Sequence, residues 1–264
     1  MYFIQRIIYY LTSFVTLMRG VRNWPVLFGL RGQGGDEAQL ELRDGTHFTV
    51  RSLMDAWIVK ETNLDRDYEV HGTVIQDGWT VVDIGAGLGD FTVFAARQTP
   101  HGRVFAYEPA PDSVILLEKN LGLNGIKNVK VYPYAVSRQD GELSLDVSGG
   151  VAVQYRTVGE TSHAGGKITV RSVALADVLA GLPGGACDFL KMDCEGAEYD
   201  MLLYLDEVSL KRVRRICLEY HEFVTSYSHT DLEEHFRLRG WSVRTSPSGV
   251  RRELGFLYAV APAE

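Results

Sequence analysis

Apolar positions along this chain follow two rhythms, and one gives way to the other near residue 76. From residue 79 onward, short apolar runs alternate with stretches of helical period. The runs at 79–84, 103–107, 129–132, 188–192 and 215–220 have strand length; those at 91–98, 111–123, 196–205 and 231–239 read as helices. Pro111 near the first turn and Gly125 beyond the last bracket the second of these helices. Residues 241–245 and 256–260 read as a closing antiparallel pair. Strands separated by helices of this length imply right-handed βαβ units. The expected fold is α/β: a Rossmann-like, doubly wound, mainly parallel sheet of seven strands with an antiparallel last strand. One stretch breaks the rhythm, with Gly141, Gly149, Gly150, Gly159, Gly165 and Gly166 between residues 137 and 172. Short strands are expected at 142–147 and 168–171, with a flexible loop over 148–167.

The first 76 residues pattern differently and read as an N-terminal cap of helix, β-hairpin and helix, preceding a domain over 77–264. Residues 2–18 are apolar with one charge, Arg6, and fall short of the ~20 residues a membrane span needs. Arg19-Gly20-Val21-Arg22 does not resemble a small-residue cleavage site, which argues against a cleaved signal. The segment suits a helix docked on the body or on a second subunit. It also suits an interfacial membrane helix or a lid over a greasy substrate. Arg6, Arg19, Arg22, Tyr2, Tyr9 and Tyr10 are of types that favour lipid interfaces. After a glycine-rich break at 31–36, Asp44-Gly45 between two mixed runs predicts a hairpin with a type I′ turn, and a helix follows at 53–61.

Composition narrows the classes. With 264 residues, 45% of them hydrophobic and 23% charged, the chain can bury one large core plus an appendage. A net charge of -7 disfavours a nucleic-acid partner, since backbone phosphates select clustered Lys and Arg. Three cysteines, Cys187, Cys194 and Cys217, suit neither a zinc site nor a disulfide framework and read as free thiols of a cytoplasmic protein, with membrane association confined to residues 1–22.

The sharpest local feature is Asp83-Ile84-Gly85-Ala86-Gly87-Leu88-Gly89-Asp90-Phe91, between a strand and a helix. Its glycines permit a tight turn and close approach of a ligand, and the helix N-terminus adds free N–H donors. The next strand ends at Glu108, where a nucleotide site places a carboxylate for ribose hydroxyls. The spacing is G-x-G-x-G rather than the dinucleotide G-x-G-x-x-G, and an acid precedes the first glycine. This looks like motif I of class I S-adenosylmethionine (SAM)-dependent methyltransferases and favours SAM over NAD. Asp83 could hold the SAM ammonium, directly or through water. Asp140 is a candidate for adenine recognition, with a turn role in Asp140-Gly141 as the rival reading, and Ala135 and Val136 could offer backbone contacts.

A second constellation is Lys191-Met192-Asp193-Cys194-Glu195-Gly196-Ala197-Glu198, at the end of a strand. Acids at a helix start have a capping explanation, but Lys191 and Asp193 on one side of an apolar strand do not. Asp193 should stand across the crevice from the glycine loop. Together, Asp83 through Phe91 and Thr92, Glu108-Pro109 and Lys191 through Glu198 resemble the FkbM family of SAM-dependent methyltransferases, over roughly residues 77–220. The resemblance implies SAM as cofactor, bound around Asp83, Gly85, Ala86, Gly87, Gly89, Phe91, Glu108, Pro109, Ala135, Asp140 and Asp193, and methyl transfer to a hydroxyl of a secondary metabolite or sugar. One departure stands out: members often carry Leu-Asp-Asp where this chain has Leu175-Ala176-Asp177, which bears on a turn or helix cap.

The fifth strand ends Glu219-Tyr220-His221, with Glu219 and His221 on one side. The family resemblance also implies an acid here. His221 or Asp193 would serve as general base for the acceptor hydroxyl, with Lys191 and Glu219 completing the catalytic set. Glu219 could instead pair with Lys191 or Arg215. A divalent metal on Asp193, Glu219 and His221 is a third option; mixed O/N ligands suit Mg or Mn less well than an all-oxygen set, and no metal is assigned. Two further readings stay open: a lipid-linked or macromolecular acceptor, and a SAM-binding protein without catalysis.

Overall fold

The computed structural model describes residues 2–30, 37–69, 74–146, 156–157, 167–249, 251 and 253–263. The chain opens with helix α1 (Tyr2–Gly20), strands β1 (Ala38–Glu41) and β2 (His47–Val50), and helix α2 (Leu53–Lys60), which continues as a π-turn, Glu61–Asp65. Next come β3 (Thr80–Ile84), α3 (Asp90–Gln98), β4 (Arg103–Tyr107), α4 (Pro111–Leu123), β5 (Val129–Tyr132) and β6 (Ala135–Ser137). They are followed by β7 (Gly141–Asp146), β8 (Arg156–Thr157), β9 (Lys167–Ala174), α5 (Leu175–Ala180) and β10 (Phe189–Met192). The chain closes with α6 (Glu198–Leu203), α7 (Glu207–Leu210), β11 (Arg215–His221), α8 (His229–Arg237), β12 (Ser242–Pro247) and β13 (Leu254–Val260).

The central sheet has seven strands in the order β12-β13-β11-β10-β3-β4-β5. Its pairs are parallel except those made by β13, which runs antiparallel to both β11 and β12. The chain winds from β3 outward through β4 and β5, then crosses to β10 and β11. The carboxyl ends of β3 and β10 therefore flank the switch point, where ligands bind in open α/β sheets. Period-two alternation explains the two-sided core. Val82, Ile84, Leu190, Met192, Ile216 and Leu218 face one cluster, while Val81, Phe189 and Cys217 face another with Phe91 and Phe94 of α3.

A second sheet, β6-β9-β7-β8, occupies the stretch where only two short strands were expected. Most of the expected 148–167 loop and the 31–36 break lie outside the described residues. The cap packs on α3 and α4: Leu17, Val21, Leu40, Phe48 and Val50 share one apolar cluster with Leu88, Val93, Leu116 and Leu117, so apolar contact is continuous across the pattern change near residue 76. Buried Asn120 of α4 fastens the hairpin, accepting from the Thr49 N–H at 2.7 Å and donating to Leu88 O at 2.9 Å. Asn124 adds a bond from the His47 N–H at 2.9 Å. The hairpin turn differs from expectation. Gly45 alone in it has positive φ (84°), its N–H donates to Leu42 O at 3.0 Å, and Asp44 Oδ1 accepts from the Thr46 N–H. The Asp44 side chain thus ties the turn without the second positive φ that type I′ requires. No helix among the described residues is long and apolar enough to cross a membrane.

Candidate active site

The glycine loop closes directly over the switch point. Gly85 and Ala86 N–H groups both donate to Tyr107 O, at 3.0 and 3.1 Å, folding the loop back onto the end of β4. Gly85 has φ 74°, and a Cβ there would strike the carbonyl oxygen of Asp193, so a glycine is needed where the β3 and β10 ends touch. Gly87 has φ 54° and faces open space. Glu108 accepts from the Gly87 N–H at 2.8 Å through one oxygen and from the Ala110 N–H at 2.8 Å through the other. Burial pushes its carboxyl up to about 7, against the pull of these two bonds. Each oxygen keeps a further lone pair for a ribose hydroxyl.

Beneath the loop, Lys191 donates to Gly85 O at 2.7 Å and pairs with Asp83 at 3.0 Å. Burial opposes its charge, but Asp83, Asp193 and Asp90 outweigh that and hold it above the ordinary lysine range. The Thr92 hydroxyl donates to Asp83 at 2.5 Å. Asp83 is fully buried and does not line the cavity, so of the two ways expected for it to hold the cofactor ammonium the direct one is not open to it. Lys191 likewise fixes the loop from below. It also lines the cavity, where a catalytic role was expected of it.

Four other residues expected at the cofactor lie off the cavity. Gly89 packs against Leu117 of α4, and Ala86 and Phe91 belong to the core, so all three build the loop from behind. Asp140 is exposed, lies off the cavity and accepts from the Ala174 N–H at 2.8 Å, tying the second sheet together. Gly85, Gly87, Glu108, Pro109 and Ala135 do line the cavity, with Tyr107 and Val136 beside them.

Across the crevice, β10 and β11 deliver Asp193, Glu219 and His221 to the same cavity. Their donor atoms lie within 4.8 Å of one another. The Tyr68 hydroxyl donates to Asp193 Oδ2 at 3.1 Å. His221 Nε2 lies 3.9 Å from Asp193 Oδ1 and 3.8 Å from Glu195 Oε2, and Nδ1 lies 3.3 Å from Glu198 Oε1. Burial alone would lower the imidazole, but Glu198, Glu219 and Asp193 push it up to about 10. Glu219 is pushed well up by burial and by Asp193. Neither cation expected to pair with it does so: Lys191 is engaged with Asp83, and the Arg215 guanidinium lies over the Trp79 ring at 4.4 Å. Glu195, a bulky residue, is held at φ 53° between Cys194 and Gly196, a strained conformation of the kind that gathers at functional sites.

The cavity measures about 500 Å³, within the ~300–1,000 Å³ range of small-molecule sites. Its outer half was foreshadowed in the sequence only as one reading of the apolar start, a lid over a greasy substrate. Tyr9 and Tyr10 of α1, Leu53, Met54 and Trp57 of α2, and Leu143 and Leu145 of β7 form an apolar and aromatic wall there. Glu61 in the π-turn accepts from Trp57 Nε1 at 2.9 Å and from the Tyr9 hydroxyl, locking α1 onto α2. The apolar start was the available signal; which face would turn inward was not.

The residues present fit SAM: a glycine cradle open at Gly87, a carboxylate with spare acceptor capacity at Glu108, and the slot between Tyr107, Pro109, Ala135 and Val136 for a flat ring. Comparisons with known proteins agree. The methyltransferase FkbM domain matches residues 83–257. The 31-O-demethyl-FK506 methyltransferase FkbM of Streptomyces tacrolimicus is 26% identical over 193 residues, 63% of this chain and 74% of that protein. Methyltransferase sdnD of Sordaria araneosa is 28% identical over 206 residues, 67% of this chain and 79% of that protein. The crystal structure of methyltransferase FkbM from Methylobacillus flagellatus is similar in fold, with a TM-score of 0.50 and 16% identity over 77% of this chain and 53% of that one.

Proposed function

The chain belongs to the FkbM family of SAM-dependent methyltransferases, and on that footing we propose that it methylates a hydroxyl oxygen of a small molecule or a sugar. The observation that carries this reading is the convergence of Asp193, Glu219 and His221 at the inner edge of the cavity, facing the glycine loop. SAM supplies a methyl group on a sulfonium, a good leaving group, so the chain's task is alignment, exclusion of water and removal of the acceptor proton. Gly85, Gly87 and Glu108 hold the nucleoside end. The Tyr9, Tyr10 and Trp57 wall covers the acceptor and keeps water from it. Asp193, steadied by Tyr68, and His221 stand beside the acceptor; an imidazole pushed up to about 10 already holds its proton at neutral pH, which leaves Asp193 to accept the hydroxyl proton and His221 to favour its charge.

The test is calorimetry with SAM and its demethylated product, then turnover with radiolabelled SAM over a panel of hydroxylated metabolites and sugars. Asp193→Ala and His221→Ala should keep product binding and lose at least ~100-fold in rate, the usual scale for a general base. A methyl group found on nitrogen or carbon of the acceptor would overturn the oxygen assignment. Binding of the product with no turnover on any acceptor would favour a non-catalytic SAM-binding protein.

A second reading, an amphiphilic acceptor presented at a lipid surface, is favoured by one observation. Ile7, Ile8, Leu11, Phe14 and Val15 lie exposed along α1, and the exposed Tyr10, Leu53 and Met54 carry this apolar surface into the cavity mouth. Co-sedimentation with vesicles of mixed neutral and anionic lipid, abolished by Leu11→Glu with Phe14→Glu, is the expected result. Equal sedimentation of both forms would remove this reading.

A further inference from the structure

Along α2 and into the π-turn, Leu53, Met54, Trp57, Ile58 and Glu61 line the cavity at the spacing of one helix face. All but the last are apolar or aromatic. Glu61 is a carboxylate set at the end of a greasy stripe, and seating α1 occupies only one of its oxygens. Oε1 takes the Trp57 Nε1–H at 2.9 Å and the Tyr9 hydroxyl. Oε2 takes no bond among the described residues, and it does not belong to the side-chain atoms buried without a partner. It is therefore open to the cavity that Glu61 lines.

The cations nearby do not close that position. Lys60 is fully buried and off the cavity; it pairs with Asp65, and its Nζ lies 4.9 Å from the centres of both the Tyr9 and the Trp57 rings. Arg251 lines the same cavity but forms no ion pair with Glu61 among the described residues. Burial raises the Glu61 carboxyl, while Tyr9, Lys60 and Trp57 act to keep it ionised. Its charge reaches Glu219 and pushes that carboxyl up, which puts Glu61 at the acceptor's end of the cavity. The turn that carries it departs from a regular helix, as π-turns at functional sites do, and closes on Arg66 at φ 60°.

We propose that Glu61 is a specificity-determining residue of the acceptor site, its Oε2 accepting a hydrogen bond from a donor on the acceptor other than the hydroxyl that is methylated; this rests on the cavity's being the place where the acceptor binds. An ionised carboxylate oxygen can only accept. A second hydroxyl set against Oε2 replaces the water it loses. A methyl ether or a bare C–H there strips that water and returns nothing, and a partly buried polar group left unpaired is what lets a site discriminate strongly. The rings of Tyr9, Tyr10 and Trp57 and the apolar face of α2 take the acceptor's carbon skeleton.

Glu61→Gln separates this role from the seating of α1. Trp57 and Tyr9 both donate, so the amide oxygen stays toward them and the NH₂ falls where Oε2 was, a donor in place of an acceptor. The experiment uses the full chain with radiolabelled SAM, above neutral pH, on matched probe acceptors. Each set is a diol, its monomethyl ether and its deoxy counterpart, built on catechol and resorcinol for flat rings and on the cyclohexanediols for puckered ones. The parent should prefer the diol of at least one set over the deoxy compound by ~10-fold or more in kcat/KM, the scale of one hydrogen bond to a charged group. Glu61→Gln should erase that preference and favour the monomethyl ether over the diol. Product binding by calorimetry checks that the cofactor site is intact, and melting curves check the fold; if the variant does not fold, the parent's preference decides. Turnover of diol and deoxy compounds alike overturns the inference and leaves the methyltransferase reading standing. A preference for the diol that survives unchanged in folded Glu61→Gln also overturns it. Product binding with no turnover of any probe counts against hydroxyl methylation itself, and against this inference with it.

Discussion

Lys191 carries two tasks in one side chain. It neutralises the fully buried Asp83 at 3.0 Å and holds the Gly85 carbonyl at 2.7 Å. Lys191→Met should destabilise the protein by about 3–5 kcal/mol, because Asp83 is left as an uncompensated buried charge. Denaturant unfolding of the two forms measures this; a loss within ~1 kcal/mol would mean that Asp83 finds another partner. Glu108 likewise has two tasks, since its bonds to Gly87 and Ala110 shape the loop and its spare lone pairs face the cavity. Glu108→Gln leaves the Gly87 or Ala110 N–H facing an amide NH₂, so it should cost about 1–3 kcal/mol in urea unfolding and weaken product binding at least tenfold, as calorimetry would show. Strand parity alone put Glu219 and His221 together at the cavity. It could not separate Asp83 from Asp193, because an acid beside a glycine loop reads the same whether it points up at a ligand or down at a lysine.

At the level of elements, α4 joins the cap to the glycine loop through Asn120, which bonds Thr49 in the hairpin and Leu88 in the loop. Asn120→Leu strips partners from buried backbone groups at both ends and should cost about 1–3 kcal/mol, with equal m-values and a lower midpoint in urea. An unchanged midpoint would show that the apolar cluster alone seats the hairpin. Strand and helix positions were legible because burial enforces period two and period 3.6. The turn at Gly45 and the π-turn at Glu61–Asp65 were not, since a side-chain bond from Asp44 and the aromatic contacts of Tyr9 and Trp57 decide their geometry. The second sheet was half legible: glycines marked its loop, but the pairing of β6 with β9 joins segments some thirty residues apart.

For the molecule as a whole, buried acids in and outside the cavity make stability depend on pH. Asp67, Asp90 and Glu108 are each raised to about 7, first by burial, and beyond that by Glu61 and Asp65 for Asp67 and by Asp83 for Asp90 and Glu108. Their unfolded values lie near ~4, so the folded protein binds protons more tightly than the unfolded chain between about pH 4 and 7. The stability they contribute is therefore full below ~4 and is lost as pH rises through 7. The ligand-free protein should melt higher at pH 5.5 than at pH 8, and Glu108→Gln should flatten the difference. A melting temperature that rises steadily over that range would contradict the assignment. The sequence by itself determined the α/β sheet, the switch point and the identity of the acids near it, because alternation and glycine spacing are local and survive in one dimension. Which acids reach the cavity, that α1 walls its outer half, and that His221 stands between Glu198 and Asp193 were decided by tertiary structure alone. Those facts depend on the direction of side chains from distant segments, which packing and the mutual compensation of buried charge select only once the chain has closed on itself.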